Sequence, residues 1–166
     1  MGPITVRRSI DAPRERVFDF VCDLANRPAF TDHFIAELRL ERLSSRGVGA
    51  AARMRIGRRL WMETVIVEVS RPHRILERGR GGRWDRIPIT TGWELVAEPG
   101  GRGCEVSLSF WTEPAGRLDR LRERLGAERY YRRRWSTALA RLKELIESGR
   151  APERVRVAGG DRLPVT

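Results

Sequence analysis

Lysine is almost missing from this chain. Of its 33 Lys and Arg residues only Lys143 is a lysine, and 22 Asp and Glu leave a formal charge of +11. A phosphate backbone accepts Lys nearly as well as Arg as a point charge. Selection for polyanion binding therefore does not explain the missing lysines, whereas Arg-rich codon usage over a solvated surface does. The arginines sit in every segment rather than in one stripe. Histidine and cysteine are as scarce, with His33, His73, Cys22 and Cys104 the full set. Two distant cysteines exclude a disulfide framework and a Cys-based zinc site, and neither histidine has HExxH or HxxxH spacing. Neither a metal nor a cofactor is expected. No G-x-x-x-x-G-K-[ST] and no G-x-S-x-G occurs, which removes the phosphate loop and the nucleophile elbow. Gly47, Gly49 and Ala52 nominally fit G-x-G-x-x-[GA], but an alternating strand follows them, so they mark a hairpin turn. No run approaches the ~18 consecutive apolar residues of a membrane span. The opening MGPITVRRSIDA has no apolar signal core, so a reduced, cytoplasmic protein is expected.

What remains is an ordinary globular composition, with 40% apolar residues in 166 positions, enough for one domain. Residues 4–10, ITVRRSI, predict a strand. Asp11 is placed to cap a short amphipathic helix over 12–22, on which Val17, Phe18 and Val21 have helical spacing. Asn26, Pro28 and Asp32 punctuate a second, very short helix. From Phe34 the period becomes two: Phe34, Ala36, Leu38 and Leu40 share one face of a strand. Ala52, Met54 and Ile56 then alternate with Arg53 and Arg55. Further strands are predicted over 61–70, 73–80, 87–98 and 103–111, the turns falling at Arg71-Pro72, GRGGRWDR and PGGR. Finally, Leu118, Leu121, Leu125, Tyr131, Trp135, Leu139, Leu142 and Ile146 form one stripe of a long helix that Gly126 interrupts. Residues 148–166 lack any period and predict a loose tail after a domain at 1–147. The class is α+β: about seven antiparallel strands, two short helices and one long helix covering the concave face.

The run SIDAPRERVFDFVCDLANRPAF, Ser9 to Phe30, carries a resemblance. So do Gly47-Val48-Gly49 before a strand, Val67-Glu68-Val69 followed by Pro72 and Arg74, and the closing helix. Over about residues 3–147 this order resembles the START-like or SRPBCC superfamily, in particular its polyketide cyclase/dehydrase and lipid-transport branch. The resemblance implies the helix-grip fold, a curved sheet wrapped around the C-terminal helix. Members include lipid and quinone carriers, aromatic polyketide cyclases, oxygenase subunits and ribosome-associated toxins, so fold alone does not choose the function.

Three readings follow. The first is a module that holds a small hydrophobic or aromatic molecule (lipid, quinone or polyketide-like) between sheet and helix. Its expected lining is Phe34, Met54, Trp61, Glu63, Val65 and Val67, with Trp93, Leu95, Phe110, Tyr131, Trp135 and Leu139. Glu63 enters that set because an outward Glu68 puts Trp61, Glu63, Val65, Val67 and Val69 on the opposite face, unless a bulge reverses it. The second is a metal-free cyclase or dehydratase with Glu63 or His33 as base, Asp32 beside it, and Tyr131 as proton donor. Cyclases resembling this family place Arg, Tyr or Trp groups in the pocket, and no inward arginine is evident here. The third is nucleic acid or an anionic membrane meeting the basic helix face, where Arg129, Arg132, Arg133 and Arg134 crowd two turns without interleaved aromatics.

Overall fold

A computed structural model describes residues 1–58, 60–82, 86–114, 116 and 126–149. Strand β1 (Ile4–Ile10) leads into helix α1 (Arg14–Val21), a 3-10 turn (Leu24–Asn26) and helix α2 (Pro28–Thr31). Then come β2 (Ile35–Leu40), β3 (Ala51–Ile56), β4 (Leu60–Ser70), β5 (Arg74–Gly81), β6 (Ile87–Ala97) and β7 (Cys104–Thr112). Helix α3 (Glu128–Ser148) closes the described chain. The seven strands form one sheet in the order β1-β7-β6-β5-β4-β3-β2, and each neighbouring pair is antiparallel. The sheet curls into a half-barrel and α3 lies across it, packed against β1 and α2. This is the helix-grip arrangement. Among the described residues no helix is long and apolar enough to cross a membrane.

Gly126, with a φ of 119° that only glycine adopts freely, precedes α3. Within the helix Trp135, Ala138, Leu139, Leu142 and Ile146 recur at steps of three and four and are all buried. Burying five such side chains stabilises the helix far more than propensity does, at about 1.5–3 kcal/mol for each large one. Leu118, Leu121 and Leu125 of the predicted stripe, and most of the predicted tail, lie outside the described residues.

Three local expectations are corrected. Asp11 does not cap α1; its N–H instead donates to Glu147 Oε1 at 2.7 Å, because the helix starts at Arg14 with Pro13 as its cap residue. In β2 a register shift between Ile35 and Glu37 buries Phe34 and Ile35 together and turns Ala36 to solvent. In β4 the face assignment is reversed. Met62, Thr64 and Ile66 point inward, while Trp61, Glu63, Val65 and Val67 point outward. A bulge between Ile66 and Glu68 shifts the alternation, so Glu68 is also exposed, and a parity argument starting from Glu68 picks the wrong face.

Candidate functional site

The interior between sheet and α3 contains an ion pair that sequence reasoning missed. Arg27 leads from the 3-10 turn into α2 and is 1% exposed; Glu77, in the middle of β5, is 2% exposed. Arg27 Nη2 donates to Glu77 Oε1 at 2.5 Å and Nη1 to Oε2 at 3.4 Å. Thr64 Oγ1 donates to Oε2 at 3.1 Å, and Trp93 Nε1 to Oε1 at 2.9 Å. Two buried charges lose several kcal/mol of hydration each, about what a well-aligned pair with all its lone pairs used can offset. The four contacts to the carboxylate come from three residues in separate parts of the fold: Arg27 at the start of α2, Thr64 of β4 and Trp93 of β6. The expectation that no arginine points inward is therefore corrected.

Aromatic rings continue from this pair toward α3. The Arg27 guanidinium lies 5.0 Å from the Trp93 ring centre and 5.9 Å from that of Phe30. Trp93 meets Trp135 edge-on at 6.2 Å. Trp135 in turn meets Phe34 at 5.2 Å and Phe110 at 5.9 Å, and Phe110 packs on Tyr131 at 4.8 Å. Edge and tilted contacts of this kind are favoured by the ring quadrupoles. Two donors in this region stay unmatched: Arg27 Nε and Trp135 Nε1 are buried without a hydrogen-bond partner. Since most buried polar groups are paired, each orphan asks for an acceptor.

Of the residues expected to line a ligand site, Phe34, Met54, Trp93, Leu95, Phe110, Trp135 and Leu139 are buried, and Tyr131 is half-buried. The other four lie on the outer face of the sheet. Trp61 is sandwiched by Arg39 at 5.4 Å and Arg53 at 5.3 Å. Glu63 faces Arg53 at 3.9 Å, while Val65 and Val67 are 36% and 40% exposed. The candidate acid/base groups do not converge, since Glu63 is on the wrong side of the sheet. His33 Nε2 lies 3.0 Å from the Arg134 carbonyl of α3, which makes Nε2 the protonated nitrogen and leaves Nδ1 bare. Burial holds the His33 pKa below its usual value, with Arg141 and Arg134 nearby adding to the effect. Asp32 does not orient His33; it pairs with Arg141.

A family model described as polyketide cyclase/dehydrase and lipid transport matches residues 1–147. The chain belongs to that family. No curated protein matches the sequence. Among solved structures, TTHA0849 from Thermus thermophilus is similar with a TM-score of 0.68 at 17% identity, covering 90% of this chain and 99% of that one. A START superfamily protein from Mycobacterium smegmatis gives 0.63 at 13%, covering 89% and 99%. DynU16, a protein of the dynemicin biosynthetic locus, gives 0.63 at 18%; 93% of this chain is covered, but it spans only 50% of DynU16. At these identities the structural likeness speaks for the fold. Family and fold together suggest ligand binding or a polyketide cyclase/dehydrase-like function.

The signals for the missed pair were local. Ile75 and Glu77 are two apart on one strand, so a carboxylate shares the face of a core isoleucine. Leu24, Arg27 and Phe30 step by three, and all are buried.

Proposed function

We propose that the interior between the sheet and α3 binds a flat, uncharged, largely aromatic molecule carrying a hydrogen-bond acceptor, and that the protein acts as its carrier or holder. The observation that carries this reading is the unpartnered Trp135 Nε1 in the middle of an aromatic cluster. The ion pair sets the charge class. Glu77 already cancels Arg27, so a carboxylate ligand would enter without a free cation to meet it. Trp135 Nε1 and Arg27 Nε are donors, which suits a ketone or quinone oxygen, while the one orphan acceptor nearby, Nδ1 of His33, belongs to a half-buried residue. An enzymatic reading as a cyclase or dehydratase gains the inward Arg27. It loses Glu63 as base, and Glu77 already receives four donors, which leaves it poorly placed to abstract a proton.

Isothermal titration with three probes of nearly one shape tests the proposal: fluorenone, fluorene and fluorene-2-carboxylate. Fluorenone should bind about tenfold more tightly than fluorene, one hydrogen bond's worth, and the carboxylate more weakly than either. Trp135→Phe should abolish the difference between the first two. Equal affinity for fluorenone and fluorene, or no binding by any of the three, would overturn it.

A further inference from the structure

A second site lies on the outside of α3, separate from the interior. Gly126, Arg129, Tyr130, Arg133, Arg134 and Thr137 line a hollow of about 470 Å³. Their spacing of three, one, three, one and three puts them on one helix face. Among these described residues three are cations and none is an acid. The neighbouring arginines are matched: Arg132 pairs with Glu128 at 2.9 Å, and Arg141 pairs with Asp32. Arg129 and Arg133 are exposed and, among the described residues, form no ion pair. One turn apart on the helix, they repel each other.

The hollow's remaining wall is fixed rather than loose. The Arg134 guanidinium lies 5.1 Å from the Tyr130 ring centre and donates to the His33 carbonyl at 3.3 Å. Tyr130 also meets Tyr131 edge-on at 5.3 Å, and Tyr131 is anchored on Phe110 of the sheet. So an aromatic residue does stand among these cations, contrary to the sequence expectation. Arg134 covers one face of its ring, and a single exposed ring is no platform for stacking successive bases of a nucleic acid strand.

We propose that this hollow binds a small phosphate-bearing molecule, its phosphoryl group bridging Arg129 and Arg133. Planar guanidinium forks match phosphate oxygens two at a time. The Tyr130 and Thr137 hydroxyls supply further donors. A dianion suits three cations without a carboxylate better than a single carboxylate would, and the volume admits one small organic phosphate.

Titration calorimetry of the full chain with phenyl phosphate at about 20 mM salt, where screening is weak, tests the assignment. Saturable binding at one site is expected. Arg129→Ser with Arg133→Ser should weaken it by about tenfold or more, as expected for two lost charge-assisted hydrogen bonds. Arg42→Ser with Arg58→Ser removes the same charge from exposed sites elsewhere and should change affinity less than about threefold. Circular dichroism of both variants checks that the fold is kept. Equal weakening by the two pairs would overturn the proposal, because binding would then follow net charge alone. So would the absence of phenyl phosphate binding, including a result in which only phosphatidylserine vesicles or a short RNA bind.

Discussion

The buried pair makes a demanding prediction about stability. Glu77→Gln keeps the shape and one acceptor oxygen, which can serve Trp93 Nε1 while the new amide NH2 turns to Thr64 Oγ1, a hydroxyl that can also accept, but it leaves the Arg27 guanidinium buried without a counter-charge. Breaking one side of such a pair costs about 3–5 kcal/mol, a large part of the ~5–15 kcal/mol that holds a typical domain together. Arg27→Met should cost a similar amount for the opposite reason. The double variant Arg27→Met with Glu77→Leu removes both charges. It relieves about 1–4 kcal/mol of desolvation and leaves two unpaired donors, on Trp93 and Thr64, at about 1–3 kcal/mol each. The balance runs from about 2 kcal/mol more stable to about 5 kcal/mol less stable than the parent, against about 6–10 kcal/mol for the two single losses added, so the two changes should be coupled by at least about 1 kcal/mol. Urea denaturation followed by far-ultraviolet circular dichroism measures all four proteins. With a slope near 2 kcal/mol per molar, Glu77→Gln should lower the midpoint by roughly 2 M. A shift of less than about 0.5 M, or a double variant that loses the sum of the two single effects, would refute the account of a charge pair held dry.

Other outcomes follow from single features. A Cβ on Gly79 would stand 1.7 Å from the Glu63 carbonyl oxygen, whereas at Gly92 the nearest atom is 3.9 Å away; Gly79→Ala should therefore cost about 3 kcal/mol or more and Gly92→Ala little, as read by thermal melts. Burial and the nearby Arg141 and Arg134 depress the folded-state pKa of His33, so the unfolded chain binds its proton first as pH falls. Stability should decline below about pH 6.5, and His33→Gln should flatten the melting temperature measured between about pH 7 and 5. Burial pushes the Cys104 thiol up to about 11, so at pH ~8 iodoacetamide should label it only as the protein unfolds, which peptide mass mapping against urea concentration checks.

Much of the architecture is legible in the sequence because periodicity reports it. Strands such as Ala52, Met54 and Ile56 alternate cleanly, and the helix stripe at Trp135, Leu139 and Leu142 has no competing face. Strand β4 fails for a physical reason. Both of its faces carry apolar residues, Trp61, Val65 and Val67 on one and Met62 and Ile66 on the other, so alternation has two solutions. The bulge after Ile66 lies in the pairing with β5, which the pattern of β4 alone does not report. The buried ion pair is hidden differently. Arg27 and Glu77 are fifty positions apart, so the local hints that each shares a face with core residues do not show that the two meet; only the fold brings them together and removes water from both.

The pairing of β1 with β7 joins the first strand of the chain to the last, Ile4 opposite Phe110 and Ile10 opposite Cys104. During synthesis β1 leaves the ribosome roughly a hundred residues before its partner, a wait of about 5–20 s at ordinary elongation rates. The other side of β1 depends on α3, where Lys143 reaches the Ser9 carbonyl at 3.0 Å, so it waits longer still. Throughout that interval an apolar strand is available to any other edge it meets. Its own sequence answers the hazard: Arg7 and Arg8 sit side by side in mid-strand, so that one charge falls on each face, and two nascent chains aligned through this segment would repel. In this strand the arginine bias would thus guard the unfinished fold.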